Sequence, residues 1–319
     1  MFKEIIKKIQ DQPPKLLVIG DLMLDKFIFG SVNRISPEAP VPIVKYQKEK
    51  HMLGGCGNVI RNLRNLSVET SLVSVVGQDQ AGDLIIDLLL EKDVSVFNIL
   101  RERNIQTTEK MRIVADRQQI LRVDWDMDDL VIEYENSLTK NISKEIQDID
   151  GVVISDYGKG VCLNSIIKNV VEISKKNKIP VYVDPKGNDW EKYSYVNLIT
   201  PNTKESEIIL GRSLHTDTDF ELAGEDICSM FNIAACLITR GSDGMSFISD
   251  RNTFHLKSKA KEIFDVSGAG DTVISAMATG LAIGLTSNLA AEFSNQAAGI
   301  VVGHIGTTAI TIKELLNLN

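Results

Sequence analysis

Short apolar runs that end at a polar or turn residue alternate with helical segments along most of this chain. This alternation constrains the fold more than any other feature. The apolar runs cover residues 16–21, 70–76, 151–156, 179–185, 196–202 and 234–240. Helical patterns occupy residues 55–66, 81–92 and most later intervals. Strands that alternate with helices predict an α/β fold, with a mostly parallel central sheet and helices on both faces.

The polar ends of the strands indicate where a site should lie. Polar residues close five of the predicted strands: Asp21, Asp156, Asp184, Asn202 and Arg240. Ligands of parallel α/β sheets bind beyond the carboxyl ends of the strands. We therefore expect the site at that edge, although Asp21 taken alone is more typical of a solvated strand end.

Two segments interrupt the alternation. Residues 25–47 contain three prolines and two short apolar pieces, and residues 106–126 read as two strands around an Ala-Asp-Arg turn. Neither segment fits a strand–helix–strand unit. Together they predict a small separate sheet that acts as a lid over the strand ends, and without a linker-like stretch we expect residues 1–319 to form a single domain.

Charge and composition exclude several classes of protein. The 319 residues contain 35 Lys and Arg against 43 Asp and Glu, a formal net charge of -8, which argues against a nucleic-acid binder. Four widely spaced cysteines without a C-x-x-C pair favour a reducing cytosol and no zinc site. No apolar run approaches the roughly 18 residues of a membrane span. We expect a cytoplasmic protein without membrane contact.

The strongest local motif is DVSGAGDT at residues 265–272. Gly268, Ala269 and Gly270 open a helix, and a helix N-terminus with unobstructed backbone N–H groups attracts anions. Asp271 would repel a phosphate there, but it fits a base that takes a proton from a hydroxyl beside the phosphate. The alternative is a glycine-rich turn followed by an ordinary acidic residue in the first helical turn.

Three weaker motifs leave alternatives open. LGGCGNVIRNL at residues 53–63 either admits a ligand beside Asn58 or simply makes a tight helix start. Asn202 and Glu205 have the spacing of a capping box. TRGSDGM at residues 239–245 is either a plain hairpin or a lining for nucleotide phosphates. The Walker A pattern, H-E-x-x-H and G-x-S-x-G do not occur, and the four histidines are isolated.

Taken in order, these motifs resemble the ribokinase-like (PfkB) sugar kinase family over nearly the whole chain. The matching pieces are Asp21 after the first strand, GGCGN at residues 54–58, N-x-x-E at 202–205, TRGSDG at 239–244 and DVSGAGD at 265–271. The resemblance implies a three-layer α/β/α fold with a β lid and an ATP-dependent sugar kinase.

Five further segments resemble the D-glycero-β-D-manno-heptose-7-phosphate kinases: residues 20–45, 117–124, 155–160, 183–190 and 301–310. The resemblance implies phosphorylation of the anomeric C1 hydroxyl to give the 1,7-bisphosphate, on the route to ADP-heptose and the lipopolysaccharide inner core. In many relatives this domain is fused to an adenylyltransferase with an H-x-G-H motif. That motif does not occur here, so we expect the kinase alone, with adenylylation by a separate protein.

The resemblance also assigns roles to individual residues. The catalytic group comprises Asp271 as base, with Gly268, Ala269 and Gly270 as the anion hole. The group expected at the nucleotide comprises Asn202, Glu205, Thr239, Gly241, Gly244 and Asp265. Within it, Asn202 and Glu205 would organise Mg²⁺ through water around ATP, and a monovalent cation is left open as a further cofactor.

Sugar-binding positions implied by the resemblance are Asp21, Asn33, Gly54, Gly55, Asn58, Gln118 and Asp184. The 7-phosphate needs cations, and we expect two or three of the following to hold it: Arg34, Arg112, Arg117, Arg122 and Lys186. Arginine suits bidentate contact with a phosphate. For each of these cations a solvated surface position is the alternative. Cys56 stands where relatives commonly carry Ala or another small residue.

The apolar lid strands lead us to expect a homodimer in which two lids clasp. Two other functions remain open from sequence alone. The first is a PfkB-type kinase with another acceptor, such as fructose, ribose or another phosphosugar, which Asn33, Arg34 and Gln118 should discriminate. The second is a non-catalytic sugar or nucleotide sensor, against which the intact Asp271 and Glu205 argue.

Overall fold

The computed structural model describes residues 2–116, 118–126, 134–260, 262–304 and 306–317. The helices in this part of the chain are α1 (Phe2–Asp11), α2 (Cys56–Asn65), α3 (Gln80–Leu90), α4 (Glu135–Glu145), α5 (Asn164–Asn177), α6 (Thr203–Leu210), α7 (Asp217–Phe231), α8 (Ala269–Ala282), α9 (Ser287–Val301) and α10 (Ile312–Leu316). The strands are β1 (Lys15–Gly20), β2 (Leu22–Ile35), β3 (Pro42–Gly55), β4 (Glu69–Gly77), β5 (Ile99–Glu102), β6 (Glu109–Ala115), β7 (Gln118–Trp125), β8 (Gly151–Ser155), β9 (Val181–Asp184), β10 (Leu198–Ile199), β11 (Ala235–Thr239), β12 (Met245–Ser249) and β13 (Thr253–Leu256).

Nine of these strands form the central sheet, in the order β13-β12-β11-β10-β9-β8-β1-β4-β5. The pairs from β5 to β11 are parallel, and β12 and β13 add antiparallel strands at one edge. The predicted, mostly parallel sheet is therefore confirmed. β10 is shorter than the apolar run predicted, because only Leu198 and Ile199 pair with β9, and of these only Ile199 also pairs with β11.

Side chains of the central strands alternate between two hydrophobic cores. On β1, Leu16 and Val18 belong to the core that α1, α2, α3, α8, α9 and α10 cover, whereas Leu17 and Ile19 belong to the core under α4, α5 and α7. A strand that is buried on both faces reads as a continuous apolar run. This explains why β1 and β8 lack the apolar–polar alternation of a half-exposed strand.

The two irregular segments form a separate four-stranded sheet in the order β3-β2-β6-β7. β2 pairs with β3 and β6 with β7 in antiparallel fashion, while β2 and β6 are parallel. The predicted small separate sheet is confirmed, and its first part extends further than residues 25–47; its action as a lid remains a prediction. β2 starts directly after β1, and β3 ends directly before α2. The lid therefore emerges from the carboxyl edge of the central sheet.

Three structural features meet at that edge. They enclose one region and are the root of the lid, the N-terminus of α8 and the carboxyl ends of β1, β8, β9, β10 and β11. Among the described helices, none is both long and apolar enough to cross a bilayer.

Candidate active site

Asp271 lies in the first turn of α8, and its carboxylate is buried. The side-chain amide of Asn58 donates a hydrogen bond to Oδ2 at 2.8 Å, and the Tyr157 hydroxyl donates one to Oδ1 at 2.7 Å. Burial raises the pKa of Asp271 to about 6, and these two donors oppose the rise. Both oxygens of the predicted base are thus held in place by neutral donors.

The orientation of the Asn58 amide is set by Arg61, one helical turn further along α2. Arg61 donates to Asn58 Oδ1 at 3.2 Å and to the carbonyl of Thr307 at 3.1 Å. With its oxygen occupied by a cation, the amide must present its NH₂ group to Asp271. Arg61 was not predicted as a site residue, although its three-residue spacing from Asn58 would place the two on one helix face.

Gly268, at the start of α8, makes room for the Asn58 amide. Gly268 is the N-cap with φ of 81°, and a Cβ there would lie 2.6 Å from Asn58 Nδ2. A Cβ on Gly270 would lie 3.7 Å from Asp184 Oδ2. The N–H of Ala269, by contrast, donates to the Val266 carbonyl at 3.2 Å. The Ala269 N–H, predicted to belong to the anion hole, is therefore already hydrogen-bonded. The backbone N–H groups that remain for an anion belong to other residues of this turn.

Asp25 is a buried carboxylate of the lid root that sequence reasoning missed. It accepts a hydrogen bond from Arg112 Nη1 at 2.6 Å and one from Thr307 Oγ1 at 3.1 Å. A Cβ on Gly54 would lie 2.7 Å from Asp25 Oδ2, so glycine at this position lets β3 pass the carboxylate closely. The charge of Asp25 also opposes ionisation of Asp271. Asp25 thus lies close to Asp271.

Asp21, expected at the sugar, supports a loop instead. Its carboxylate accepts backbone N–H groups of Tyr157 at 2.8 Å, Lys159 at 3.1 Å and Val161 at 2.9 Å. Burial, followed by the charge of Asp156, raises the pKa of Asp21 to about 6. The structure corrects the expectation because Asp21 is buried and its carboxylate is used to hold this loop. The two acids of GDLMLD therefore have different surroundings, and only Asp25 faces Arg112.

A second buried carboxylate supports the same loop. Asp156 Oδ2 accepts from Lys192 Nζ at 2.5 Å and from the Tyr193 hydroxyl at 2.6 Å, and Oδ1 accepts from the N–H of Gly158 at 2.7 Å. Within the described residues, one group of metal-type donors lies close together, namely Asp21, Asp156 and Cys162. Because both carboxylates already accept several hydrogen bonds, this group is best explained as a structural network.

A cavity of about 640 Å³ opens next to the start of α8. Apolar side chains line one part of it: Ile263, Val266, Val273, Ala298 and Val302. Polar and glycine positions line the other: Asp184, Lys186, Asn202, Glu205, Thr239, Gly241 and Gly244. A larger cavity of about 1130 Å³ lies at the amino ends of β9, β10 and β11, at the opposite edge of the sheet. Only the smaller one adjoins Ala269 and Gly270.

Asn202 and Glu205 form the capping box that their spacing indicated. Each side chain accepts the other's backbone N–H at 3.0 Å, at the start of α6. The second oxygen of Glu205, Oε1, lies 3.1 Å from Lys186 Nζ. Burial, then the charges of Asp271 and Glu205, raises the pKa of Asp184 well above its usual range. The capping box therefore presents oxygen ligands to the cavity, and Lys186 adds one ammonium group beside them.

Such a donor set fits Mg²⁺, which prefers oxygen ligands and retains several of its waters when it binds beside phosphates. The carboxylate of Glu205 borders the cavity, and its Oε1 bonds only to the half-exposed Lys186 among the contacts described above. The amide oxygen of Asn202 and Oε2 of Glu205 are each held by a backbone N–H. Contact through water suits this arrangement better than a cage of direct ligands.

Thr239 lines the cavity, whereas Asp265 supports the turn that precedes α8. Asp265 accepts the N–H groups of Ser267 at 2.8 Å and Gly306 at 3.0 Å, which braces the turn before α8. Thr239 ends β11 and forms an isolated bridge with Asn202. The structure thus places Thr239 beside the capping box and Asp265 in the turn that leads to α8.

Among the described residues, Arg112 and Arg122 lie opposite each other on β6 and β7, but the other expected 7-phosphate cations lie apart from them. Arg34, like Asn33 and Gln118, is exposed toward the far end of the lid. Arg34 lies nine residues beyond Asp25 on β2, about 30 Å along an extended strand. Lys186 points to Glu205, and Arg122 pairs with Asp124 at 2.8 Å. Arg117 lies outside the described residues.

Arg112 is the expected cation that lies beside Asp25, and Lys110 accompanies it on β6. The Lys110 ammonium lies 5.8 Å from the centre of the Tyr157 ring. Burial lowers the pKa of Lys110, and the charge of Asp25 opposes that effect. Lys110 was not predicted. Its alternation with Arg112 on one strand, which puts both side chains on the same face, is the signal that would have identified it.

Comparisons with solved structures support the fold. Escherichia coli phosphofructokinase-2 in complex with potassium superposes with a TM-score of 0.80 at 18% identity, over 96% of this chain and 98% of that one. Arabidopsis thaliana ribokinase complexed with ribose and ATP superposes with a TM-score of 0.74 at 19% identity, over 97% and 100% of the two chains.

Sequence relatives are closer. The protein named bifunctional protein HldE is 41% identical over 304 residues in Actinobacillus succinogenes and 39% identical over 303 residues in Aliarcobacter butzleri. Each match covers 95% of this chain and 63% of the relative. The chain thus spans less than two thirds of the length of these relatives. The profile described as pfkB family carbohydrate kinase matches residues 13–314, which is nearly the whole of the fold and site described above, and the chain belongs to that family.

Proposed function

We propose that this protein is an ATP-dependent kinase that phosphorylates the anomeric C1 hydroxyl of D-glycero-β-D-manno-heptose 7-phosphate. The product would be the 1,7-bisphosphate, a precursor of ADP-heptose and the lipopolysaccharide inner core. One observation carries the proposal: the doubly hydrogen-bonded Asp271 lies between a cavity of nucleotide size and a lid root that carries two cations. Family membership and the HldE relatives support the same activity.

Asp271 acts as the base. The C1 hydroxyl loses its proton to the Asp271 carboxylate as its oxygen bonds to the γ-phosphorus of ATP, and ADP leaves on the opposite side. A carboxylate with a pKa of about 6 is ionised at neutral pH and is still a better proton acceptor than an exposed one. Asn58 and Tyr157 hold both oxygens in one orientation, so the base is already positioned when the sugar arrives.

The nucleotide lies in the cavity beside α8, with its phosphates toward the N-terminus of that helix. The N–H groups of the first helical turn and the helix dipole favour the negative charge of the transferring group. Asn202 and Glu205 would hold Mg²⁺ through water, and that ion would neutralise phosphate charge. Lys186, which is half-exposed and contacts Glu205, is placed to add a positive charge at the same end.

Lys110 and Arg112 hold the 7-phosphate of the sugar in this proposal. Both project from β6 near Asp25, which lies beside the base. With the C1 hydroxyl at Asp271 and Asp25 as acceptor for other hydroxyls, the far end of a heptose reaches these cations. Arg34, at the far end of the lid, and Lys186, beside Glu205, do not belong to this pair of cations.

The direct test is turnover with a panel of acceptors. ATP-dependent phosphorylation of heptose 7-phosphate is expected to exceed that of fructose 6-phosphate and ribose, and ³¹P NMR should place the new phosphate on C1. Asp271→Asn should lower kcat by about 10³-fold or more while ATP still binds, because the proton acceptor is lost. Near-normal turnover in that variant would refute the proposed mechanism. A clear preference for another acceptor would refute the proposed substrate.

The role of the two cations is tested by Lys110→Met and Arg112→Gln. Loss of a charge-assisted contact with phosphate should raise KM for heptose 7-phosphate about tenfold to a hundredfold. KM for ATP should remain near the wild-type value. Arg212→Gln is the matched control because Arg212 pairs with Asp226 on the outer surface. Unchanged KM for the sugar phosphate in both lid variants would show that the 7-phosphate binds elsewhere.

We also propose a cytoplasmic homodimer, with residues 1–319 forming one kinase domain in each protomer. Ile35, Tyr46 and Leu121 expose more than half of their surface on the lid, and exposed apolar groups on a sheet favour burial against a partner. All four cysteines are free thiols, as a reducing compartment favours.

A further inference from the structure

Tyr157 links the lid, the nucleotide cavity and the base. It lies in the loop after β8, its ring borders the cavity, and its hydroxyl donates to Asp271 Oδ1 at 2.7 Å. The Lys110 ammonium lies over the same ring. No site role was predicted for this residue, although it directly follows the strand-end residue Asp156 and lies in segment 155–160, which resembles the heptose-7-phosphate kinases.

Buried carboxylates hold the loop that carries Tyr157. Three of its N–H groups, those of Tyr157, Lys159 and Val161, donate to Asp21. Asp156, at the start of the loop, is bonded to Lys192 and Tyr193. These contacts use two buried carboxylates to fix one short stretch of backbone. A support of this kind is warranted when the side chain that the loop presents has to be placed accurately.

We propose that Tyr157 is a positioning residue for phosphoryl transfer: its hydroxyl fixes Oδ1 of Asp271 and stabilises the carboxylate as the acceptor of the substrate proton. The proposal rests on the proposed role of Asp271 as base. Asn58 holds the other oxygen, but it belongs to a motif already assigned to the sugar. Asp21 acts through Tyr157, because it holds the loop and contacts neither Asp271 nor the cavity.

The hydroxyl of Tyr157 keeps its own proton throughout the reaction. Burial, then the charge of Asp271, raises the pKa of Tyr157 well above its usual range, so the phenol donates and is not itself a base. Each carboxylate oxygen has two lone pairs. The bonds from Tyr157 and Asn58 occupy one on each oxygen and leave one on each for the C1 hydroxyl. The proton then moves from that hydroxyl to Asp271, and the freed electron pair forms the bond to phosphorus.

Charged and titratable groups face Asp271 from several elements. They are Cys56 and Arg61 on α2, Asp25 on β2, Asp184 on β9 and Tyr157 in the loop after β8. Two of them are carboxylates, and the cation Arg61 is shared with Asn58 and Thr307. Burial and nearby carboxylate charge raise the pKa of Asp271, and its hydrogen-bond donors oppose that rise. Without the Tyr157 hydroxyl this opposition would be weaker. Protonation of Asp271 would then extend to higher pH.

The test is Tyr157→Phe, which removes one oxygen and keeps the ring. The acid limb of the kcat/KM profile should move up by about one pH unit or more, since a hydrogen bond to a charged group contributes that much. The loss of activity should therefore be larger at pH 6 than at pH 8.5. Tyr182→Phe is the matched control, because Tyr182 is also buried but lies on β9 among the residues of the core.

A second measurement does not depend on turnover. Infrared difference spectra across a pH titration report the protonated Asp271 carboxyl as the band that Asp271→Asn lacks. In Tyr157→Phe this band should persist to a higher pH than in the wild type. An unmoved band and an unmoved acid limb, in a variant with wild-type circular dichroism, would overturn the proposal. Normal turnover in Asp271→Asn would instead refute the proposed base, while the band would still report on Tyr157.

Discussion

Burial raises the pKa values of two carboxyls beside the site, Asp21 and Asp271, from the ordinary range of an aspartate to about 6. Between about pH 4 and pH 6 the folded protein therefore keeps protons that the unfolded chain releases. The contribution of these two carboxyls to stability is largest below this window and falls as the pH rises through it, by about 3 kcal/mol for each carboxyl. At neutral pH the protein thus keeps an ionised, buried Asp271 at a cost in stability.

Asp271→Asn tests this statement through stability. Relative to the wild type, the variant should gain about 3 kcal/mol in free energy of unfolding between pH 4 and pH 7.5, because it has no carboxyl to ionise. The sign at any single pH also depends on the hydrogen bonds that the amide loses, so the change with pH is the informative quantity. Urea unfolding at the two pH values measures it. Asp87→Asn, at an exposed position, is the control and should show no such gain. If Asp271→Asn also shows no gain between the two pH values, the raised pKa of Asp271 is contradicted.

At the scale of elements, the start of α8 is the feature that organises the site. Its N-cap, Gly268, combines a left-handed backbone with a contact to Asn58, so this single residue sets both the helix entry and the space for the donor to Asp271. A side chain there would displace the Asn58 amide. The motif DVSGAGD needs glycine at this position for both reasons.

Gly268→Ala should therefore lower kcat by about tenfold to a hundredfold, as expected for a displaced hydrogen-bond donor at the base. Gly211→Ala is a matched control: Gly211 has φ of 65° at the C-cap of α6, and a Cβ there would meet nothing within 4 Å. Both variants carry the backbone strain of about 1 kcal/mol, so thermal melting should show a similar loss from this source. Equal kcat in the two variants would show that the contact with Asn58 does not matter.

At the scale of the whole molecule, the lid exposes large apolar side chains, Ile35, Tyr46 and Leu121. Light scattering at micromolar concentration should give twice the mass of the 35.3 kDa chain. Leu121→Lys should convert the dimer to monomers by placing a charge in the apolar lid surface. Leu222→Lys is the control, since Leu222 is similarly exposed on α7, which packs on the central sheet. A monomeric wild type, or a dimer that persists in Leu121→Lys, would contradict a lid interface.

The sequence by itself determined the features that depend on near neighbours. Apolar runs of strand length predicted β1, β8, β9 and β11, since burial on both faces imposes a continuous apolar pattern. The capping box of Asn202 and Glu205 followed from a spacing of three residues. The helix start at Gly268 followed from local backbone requirements. The lid was identified by exclusion, because its segments fit no strand–helix–strand unit.

Only the tertiary structure decided which side chains surround Asp271. Tyr157 and Asn58 are 114 and 213 residues away from it in sequence, and Asp25 reaches the same place through the lid. Their meeting depends on the order of the parallel strands and on how the lid leaves the sheet. The same holds for the two acids of GDLMLD: Asp21 directly follows β1 and holds the loop that carries Tyr157, whereas Asp25 lies on β2 against Arg112. Sequence spacing encodes contacts within a turn or a strand, but packing between distant elements determines which polar groups share a buried site.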